Sequence, residues 1–299
     1  MELINFTIVN KNINLNVVTH KTNYNPKYAL IHLHGLYSTF QPTSDNTDEF
    51  QERIKYLSRG KIVSYALEFN GHGKSNGKKG IINDYNDMVS DLDSLVSYVS
   101  KYHNNIPIYI LGESLGGSIG IKYCILNKEK INGLILLAPL CGLKEEQKPS
   151  QYLIRTLQNM SYLFPSLSYS SNNDEKCYND NDYLEARKNN KYQYNGNINL
   201  GTAREILKVS TWIEENSKKL ETPLFLFHDI NDPILDFEVS KTFFNKCSNR
   251  NKILLEITDN KHAILVQNNE DDIMPMVYLE TITNWILKNN KSVLRTILL

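Results

Sequence analysis

Residues 106 to 138 read IPIYILGESLGGSIGIKYCILNKEKINGLILLA, and this stretch constrains the fold more than any other. The run Ile106 to Leu111 is apolar, rich in β-branched residues and bounded by Asn and Gly, as expected of a strand covered on both faces. Beyond it, Ile119, Tyr123 and Leu126 fall at helical spacing, Lys128 and Lys130 bring charge near the helix end, and Gly133 serves as a stop. The run Leu134 to Ala138 then reads as a second buried strand. A strand, a crossover helix and another buried strand make a parallel βαβ unit, which places the chain in the α/β class. At the first strand-to-helix turn lies Gly112-x-Ser114-x-Gly116, whose small residues permit a sharp turn that leaves the serine hydroxyl exposed. The five-residue pattern alone is weak, but in this context Ser114 reads as a nucleophile.

Further strand-like runs recur with helical patterns between them: Phe6 to Val9, Asn14 to Thr19, Tyr28 to His34, Lys61 to Ala66, Pro223 to His228 and Lys252 to Ile257. With the two already described, this predicts a mostly parallel eight-stranded sheet flanked by helices, its first two strands pairing as an antiparallel edge hairpin. A helix is predicted over Asp84 to Tyr102, where Met88, Leu92, Leu95, Val96 and Val99 share one face. One region breaks the rhythm. From Cys141 to Glu221 the chain is too long for an ordinary connection between strands expected to be neighbours. Its first half is rich in Leu, Tyr, Phe and Met, and its second half in Asn. The expected division is therefore a core of residues 1–140 and 222–299 with a mostly helical cap, 141–221, inserted over the C-terminal edge of the sheet, where ligands bind in open α/β folds.

Several function classes are excluded by composition. Lys plus Arg and Asp plus Glu number 33 each, so no broad basic surface for nucleic acid is expected. No run of about 18 apolar residues exists, and the N-terminal MELINFTIVNKNINLNVV alternates like a strand where a signal peptide would be continuously apolar. A cytoplasmic location is expected, membrane-peripheral if the apolar half of the cap meets a lipid surface. The cysteines Cys124, Cys141, Cys177 and Cys247 are far apart and form no C-x-x-C pair, which argues against a disulfide framework or a zinc site.

A serine hydroxyl needs a base to take its proton and a carboxylate to orient that base. In strand-order α/β sites these follow as Ser, Asp or Glu, His. Downstream of Ser114 there are only His228, closing a strand in PLFLFHDINDPILD, and His262, in the loop of KILLEITDNKHAIL. A loop at a strand's C-terminal end faces the same rim as Ser114, so His262 is the better base. Asp229, Asp232 and Asp236 compete to orient it, and spacing does not settle the choice. Asp232 is preferred because it sits mid-turn before Pro233, whereas Asp229 adjoins the strand and Asp236 suits a helix N-cap. Upstream, ALIHLHGLYS ends a strand at His34-Gly35, and the main-chain N–H of Leu36 is expected to complete an oxyanion hole with that of Leu115. His34 and His72 are read as structural. Gly73-Lys74-Ser75 is no P-loop, because Glu68 occupies the place of its first glycine.

The set HLHGLYS, EFNGHGKSNG, GESLGGSIG, LLAPL, YNGNINLGTAREIL, TPLFLFHDINDPILD and DNKHAIL, in that order, resembles the monoacylglycerol lipase and lysophospholipase-like branch of the serine α/β-hydrolases over nearly the whole chain. The resemblance implies the α/β-hydrolase fold, Ser114 as nucleophile, Asp232 as acid, His262 as base, and the N–H groups of Leu36 and Leu115 as oxyanion donors. It further implies a lipid-facing cap, a small lipid ester as substrate, cleavage of one fatty acyl ester through an acyl-enzyme, and no metal or organic cofactor. The alternatives are a broad carboxylesterase, thioesterase or peptidase of the same fold, or a catalytically silent lipid-binding protein. The chain departs from the pattern at two places: Tyr37 stands where the family often has glycine, and is expected to narrow or polarise the acyl entrance, and Glu68 stands where it usually has aspartate.

Overall fold

The computed structural model describes residues 2–42, 49–144, 159–171, 174–259, 261–267, 269 and 271–289. Residues 145–158, which carry much of the apolar first half of the expected cap, lie outside the described residues. The chain opens with β1 (Leu3–Asn10) and β2 (Ile13–His20), an antiparallel hairpin. Its two-residue turn, Lys11 and Asn12, takes positive φ at both positions (47° and 65°), the twist that suits paired antiparallel strands. Strand β2 continues antiparallel onto β4 (Ile62–Leu67). From there β3 (Tyr28–Leu33), β5 (Ile108–Glu113), β6 (Gly133–Leu137), β9 (Leu224–Asp229) and β10 (Lys252–Ile257) add in parallel. The spatial order is β1-β2-β4-β3-β5-β6-β9-β10, so all eight strands expected from the sequence share one sheet. A two-stranded sheet of β7 (Ser168–Ser170) and β8 (Ile198–Asn199) lies within the insertion.

Helices cover both faces because the central strands are apolar on both. On β3, Ile31 and Leu33 join the cluster of α2 (Tyr85–Tyr102) and α3 (Leu115–Leu126), while Leu30 turns to the cluster of α1 (Glu49–Ser58) and α7 (Met274–Lys288). Helix α2 is started by the Asp84 carboxylate, which accepts from the Asn86 N–H and so satisfies an orphan donor of the first turn. The insertion between neighbouring strands β6 and β9 contains α4 (Asn181–Lys188) and α5 (Leu200–Asn216). Helix α5 packs on α2 and α3, and its Val209 and Ile213 are buried in the same cluster. The last crossover helix is α6 (Phe237–Lys246). Among the described residues no helix is long and apolar enough to cross a membrane.

Close approach fixes the β5–α3 junction. A methyl group on Gly116 would lie 2.3 Å from the Leu33 carbonyl oxygen, and one on Gly112 would lie 2.7 Å from that of Gly116. The contacts are backbone on backbone, so no side chain can yield. Gly116→Ala is expected to destabilise the fold by about 3 kcal/mol, readable as a lowered denaturant midpoint with unchanged slope.

Four histidines, His20, His32, His34 and His72, are buried, and burial is the largest cause of the fall in each one's pKa: to about 4 for His20 and His34, to about 3 for His72, and well below the ordinary value for His32. Each therefore binds a proton more readily in the unfolded chain. The stability they confer is complete above the ordinary value of 6.5 and is withdrawn as pH falls toward 4. Asp91, raised to about 6 chiefly by burial, acts in the opposite sense, but it is one group against four. Thermal melts should show Tm dropping steeply as pH is lowered from 6.5 to 4; a flat Tm would contradict the burial of these rings.

Candidate active site

The rim at the C-terminal ends of the parallel strands is assembled from four turns. The first, between β5 and α3, holds Ser114 at φ 51° and ψ −115°, a conformation unfavourable for a residue with a side chain. It persists because the backbone is over-determined: the Ser114 N–H donates to the Leu137 carbonyl at 3.0 Å, and its own carbonyl accepts from Gly117 and Leu140, each at 3.0 Å. The elbow expected from the sequence is present. The second turn, after β3, brings Gly35 beside it, so close that a methyl group on Gly35 would stand 3.4 Å from the Ser114 Cβ. Among the described residues, neither the Leu36 N–H nor the Leu115 N–H, the first of helix α3, has an acceptor.

The third and fourth turns follow β9 and β10. The Asp232 side chain, in the first of these, has no exposed surface. Its Oδ1 accepts from the Ile234 and Leu235 N–H groups at 2.7 and 3.0 Å, which fixes the carboxylate in the turn. Its Oδ2 accepts from His262 Nδ1 at 2.7 Å. Burial alone would raise the Asp232 carboxyl, but the hydrogen bonds from His228 and His262 outweigh it and hold the group below the usual carboxylate range. The competing aspartates are engaged elsewhere. Asp229 accepts from the N–H groups of Asn231, Asp259 and Lys261, tying the two turns together, and Asp236 caps α6 through the Glu238 N–H.

Ser114, His262, Leu36 and Leu115 line one cavity of about 260 Å³. Its walls are aliphatic, among them Leu137, Leu140 and Ile234 from the core and Ile198 and Ile206 from the insertion. One end is polar, with Ser38, Glu113, Tyr178 and Arg187, and it runs into a smaller pocket of about 70 Å³ lined also by Gln41, Asn190 and Gln193. Glu113 is paired with Arg53, and the Arg187 guanidinium donates to Ser38 Oγ at 3.2 Å. Ser114 Oγ and His262 face the cavity with no hydrogen bond between them among the described residues. Among those residues no group of three or more His, Cys, Asp or Glu could hold a metal ion.

Two departures noted in the sequence acquire roles. Tyr37, expected to border the entrance, is not among the residues that line the cavity. It is buried at φ 60°, its hydroxyl donates to the Gly80 carbonyl at 3.1 Å, and its ring meets Tyr194 of the insertion edge-on at 4.6 Å. The left-handed backbone explains why glycine suits this position. Glu68 is fully buried, and it accepts from the Phe40 N–H (3.1 Å), the Lys74 N–H (2.8 Å), Asn16 Nδ2 (2.9 Å), Gln41 Nε2 (3.1 Å) and Thr39 Oγ1. The sequence reading missed this role; the available signal was an acid at the end of an otherwise apolar strand. His34 and His72 are structural: His34 accepts the Phe69 N–H at Nε2 and donates to the Gly35 carbonyl, and His72 hydrogen-bonds the Asn70 carbonyl. Also unforeseen is His228, set aside as the poorer base, whose Nε2 lies 3.1 Å from Asp232 Oδ2.

Comparison with known proteins agrees with this geometry. Over 248 residues the chain is 26% identical to caffeoylshikimate esterase of Arabidopsis thaliana, covering 81% of this chain and 74% of that protein. It is also 26% identical to the monoglyceride lipase homolog of Monkeypox virus, over 83% of this chain and 86% of that one. A soluble variant of monoglyceride lipase from Saccharomyces cerevisiae, solved in complex with a substrate analog, superposes with a TM-score of 0.78 at 17% identity, covering 97% of this chain and 95% of that one. Residues 25–271 match the family described as Serine aminopeptidase, S33. The chain belongs to that hydrolase family and is a monoacylglycerol lipase-like α/β-hydrolase.

Proposed function

We propose that Ser114, Asp232 and His262 form a catalytic triad that hydrolyses a single fatty acyl ester of a monoacylglycerol or lysophospholipid through an acyl-enzyme. The observation that carries this reading is the shared cavity: a serine on a strained elbow and an Asp-bound histidine open into one aliphatic chamber with a polar end. His262 takes the Ser114 proton as the hydroxyl attacks the ester carbonyl. The N–H groups of Leu36 and Leu115 receive the oxyanion, the alcohol departs with a proton from His262, and water then releases the acid by the same route. The aliphatic walls suit the acyl chain, and the end bearing Ser38, Arg187 and Tyr178 suits a polar leaving alcohol. In this reading residues 1–140 and 222–299 are the hydrolase core and 141–221 a cap, rooted on the core through α5.

The cap also supplies a surface for a lipid interface in a cytosolic, membrane-peripheral setting. Tyr162, Leu163, Phe164 and Leu167 are at least half exposed (65, 74, 59 and 50%), and Arg204 and Lys208 lie against the Tyr162 ring. Membrane contact is expected to appear as co-sedimentation with vesicles that is lost in Leu163→Ser/Phe164→Ser; equal sedimentation of the two proteins would refute it.

Labelling by a fluorophosphonate probe tests the triad. It should vanish in Ser114→Ala and collapse in His262→Ala, with turnover of a monoacylglycerol falling by about 10⁴-fold or more. Asp232→Asn should cost about 10⁴-fold in kcat with the fold retained. Full esterase activity in Ser114→Ala would overturn the assignment, and a panel of monoacylglycerols, lysophospholipids and short-chain esters ranks the substrates.

A further inference from the structure

Asp232 Oδ2 is approached by two imidazoles, and only one of them reaches the cavity. His262 lines it; His228, at the end of β9, is completely buried behind the carboxylate. The surroundings of His228 dictate where its protons sit. Nε2 faces two acceptors, Asp232 Oδ2 and the Leu235 carbonyl oxygen, both at 3.1 Å, so Nε2 carries a hydrogen. Nδ1 lies 2.7 Å from Ser240 Oγ on α6, and that hydroxyl is in turn 3.3 Å from Cys141 Sγ beyond β6. With Nδ1 accepting from the Ser240 hydroxyl, the thiol can donate to Ser240 Oγ while Nε2 donates to Asp232, an arrangement in which no lone pair faces a lone pair. Phe237 closes the remaining side, its ring edge-on to the imidazole at 5.9 Å.

Resting on the triad reading above, we propose that His228 is a positioning residue of the active site. Donating through Nε2–H, with Ser240 hydrogen-bonded to its other ring nitrogen, it fixes the orientation of Asp232 so that Oδ2 meets His262 Nδ1. The sharing of one oxygen has a chemical consequence. While His262 is neutral, its N–H and that of His228 both draw on Oδ2. When His262 becomes an imidazolium in the acylation step, its bond to Oδ2 strengthens, and His228 keeps the carboxylate from rotating toward the new charge. The device acts on the transition state and leaves ester binding alone, so its loss falls on kcat.

The test uses four variants of the full chain, His228→Leu, His228→Gln, Ser240→Ala and Ser240→Thr, with Ser114→Ala as reference, assayed on a short-chain p-nitrophenyl ester and by proton NMR of the downfield imidazole resonance of the Asp232–His262 bond. His228→Leu is expected to lower kcat by about ten- to a hundredfold with little change in KM, as loss of a donor to a charged group implies, and to displace or broaden that resonance. His228→Gln, which restores an amide N–H, should recover most of the loss. Ser240→Ala, remote from the cavity and mild in volume, should lower kcat and disturb the same resonance, whereas Ser240→Thr keeps the hydroxyl and should not. Should His228→Leu fail to fold, the Ser240 pair decides. Wild-type kcat and an unshifted resonance in Ser240→Ala and in whichever His228 variants fold would overturn the proposal, as would a rise in KM alone. If Ser114→Ala keeps full turnover, the triad reading itself falls and this proposal with it; if Ser114→Ala is dead while the His228 and Ser240 variants match wild type, only the role of His228 falls.

Discussion

A carboxylate outside the lining of the Ser114 cavity holds the rim together. Glu68, at the end of β4, has no exposed surface, and an unpaired charge there would cost several kcal/mol. It is tolerated because three separate segments supply its hydrogen bonds: Asn16 on β2, residues 39 to 41 after β3, and the Lys74 N–H in the following loop. Those segments are thereby made one body, and Leu36 lies three residues upstream of the tied stretch. The same crowding accounts for Gly73, since a methyl group there would lie 2.0 Å from the Glu68 carboxyl carbon. Gly71 and Gly77 of the same loop are held by other close approaches, to the Lys78 carbonyl oxygen and to the Asn70 side chain.

From that body outward, the site follows from parallel-strand geometry. Ser114 follows β5, Asp232 follows β9 and His262 follows β10, and strands running the same way deliver their C-terminal turns to one edge. What the turns need beyond that is stiffness, which comes from main-chain donors: Ile234 and Leu235 on Asp232, and Asp259 and Lys261 on Asp229. The strain at Ser114 is offset by three backbone hydrogen bonds to that one residue, with Gly117, Leu137 and Leu140. Preorganisation here is a property of peptide groups, and the side chains ride on it.

The central strands were legible in the sequence as short, mostly apolar runs, and the burial of β3, β4, β6 and β9 on both faces explains why they lack the alternation that marks the N-terminal hairpin. The choice of Asp232 over Asp229 and Asp236 rested on its place before Pro233, and the three carboxylates do separate as a buried acceptor of His262, a turn clamp and a helix cap. Less visible were contacts between residues far apart in the chain. Nothing near Glu68 announces Asn16, 52 positions away, and nothing near His228 announces Cys141. The packing of α5 onto α2 and α3 was equally hidden, since an amphipathic helix inside a long insertion reads the same whether it faces ligand or core. Tyr37 misled because its chemistry was legible and its direction was not: a positive φ turns the ring away from the cavity.

That ring ties the fates of three distant positions. Tyr37 reaches the Gly80 carbonyl and rests on Tyr194, while any side chain on Gly80 would run into that same Tyr194 ring, 2.2 Å from where its Cβ would stand. A change at one of the three is therefore judged by the other two. Restoring glycine at position 37 would relax the backbone but leave Tyr194 without its partner, and enlarging Gly80 would require Tyr194 to have shrunk first. Positions 37, 80 and 194 can drift only in a particular order, so relatives that differ at one of them should differ at the others.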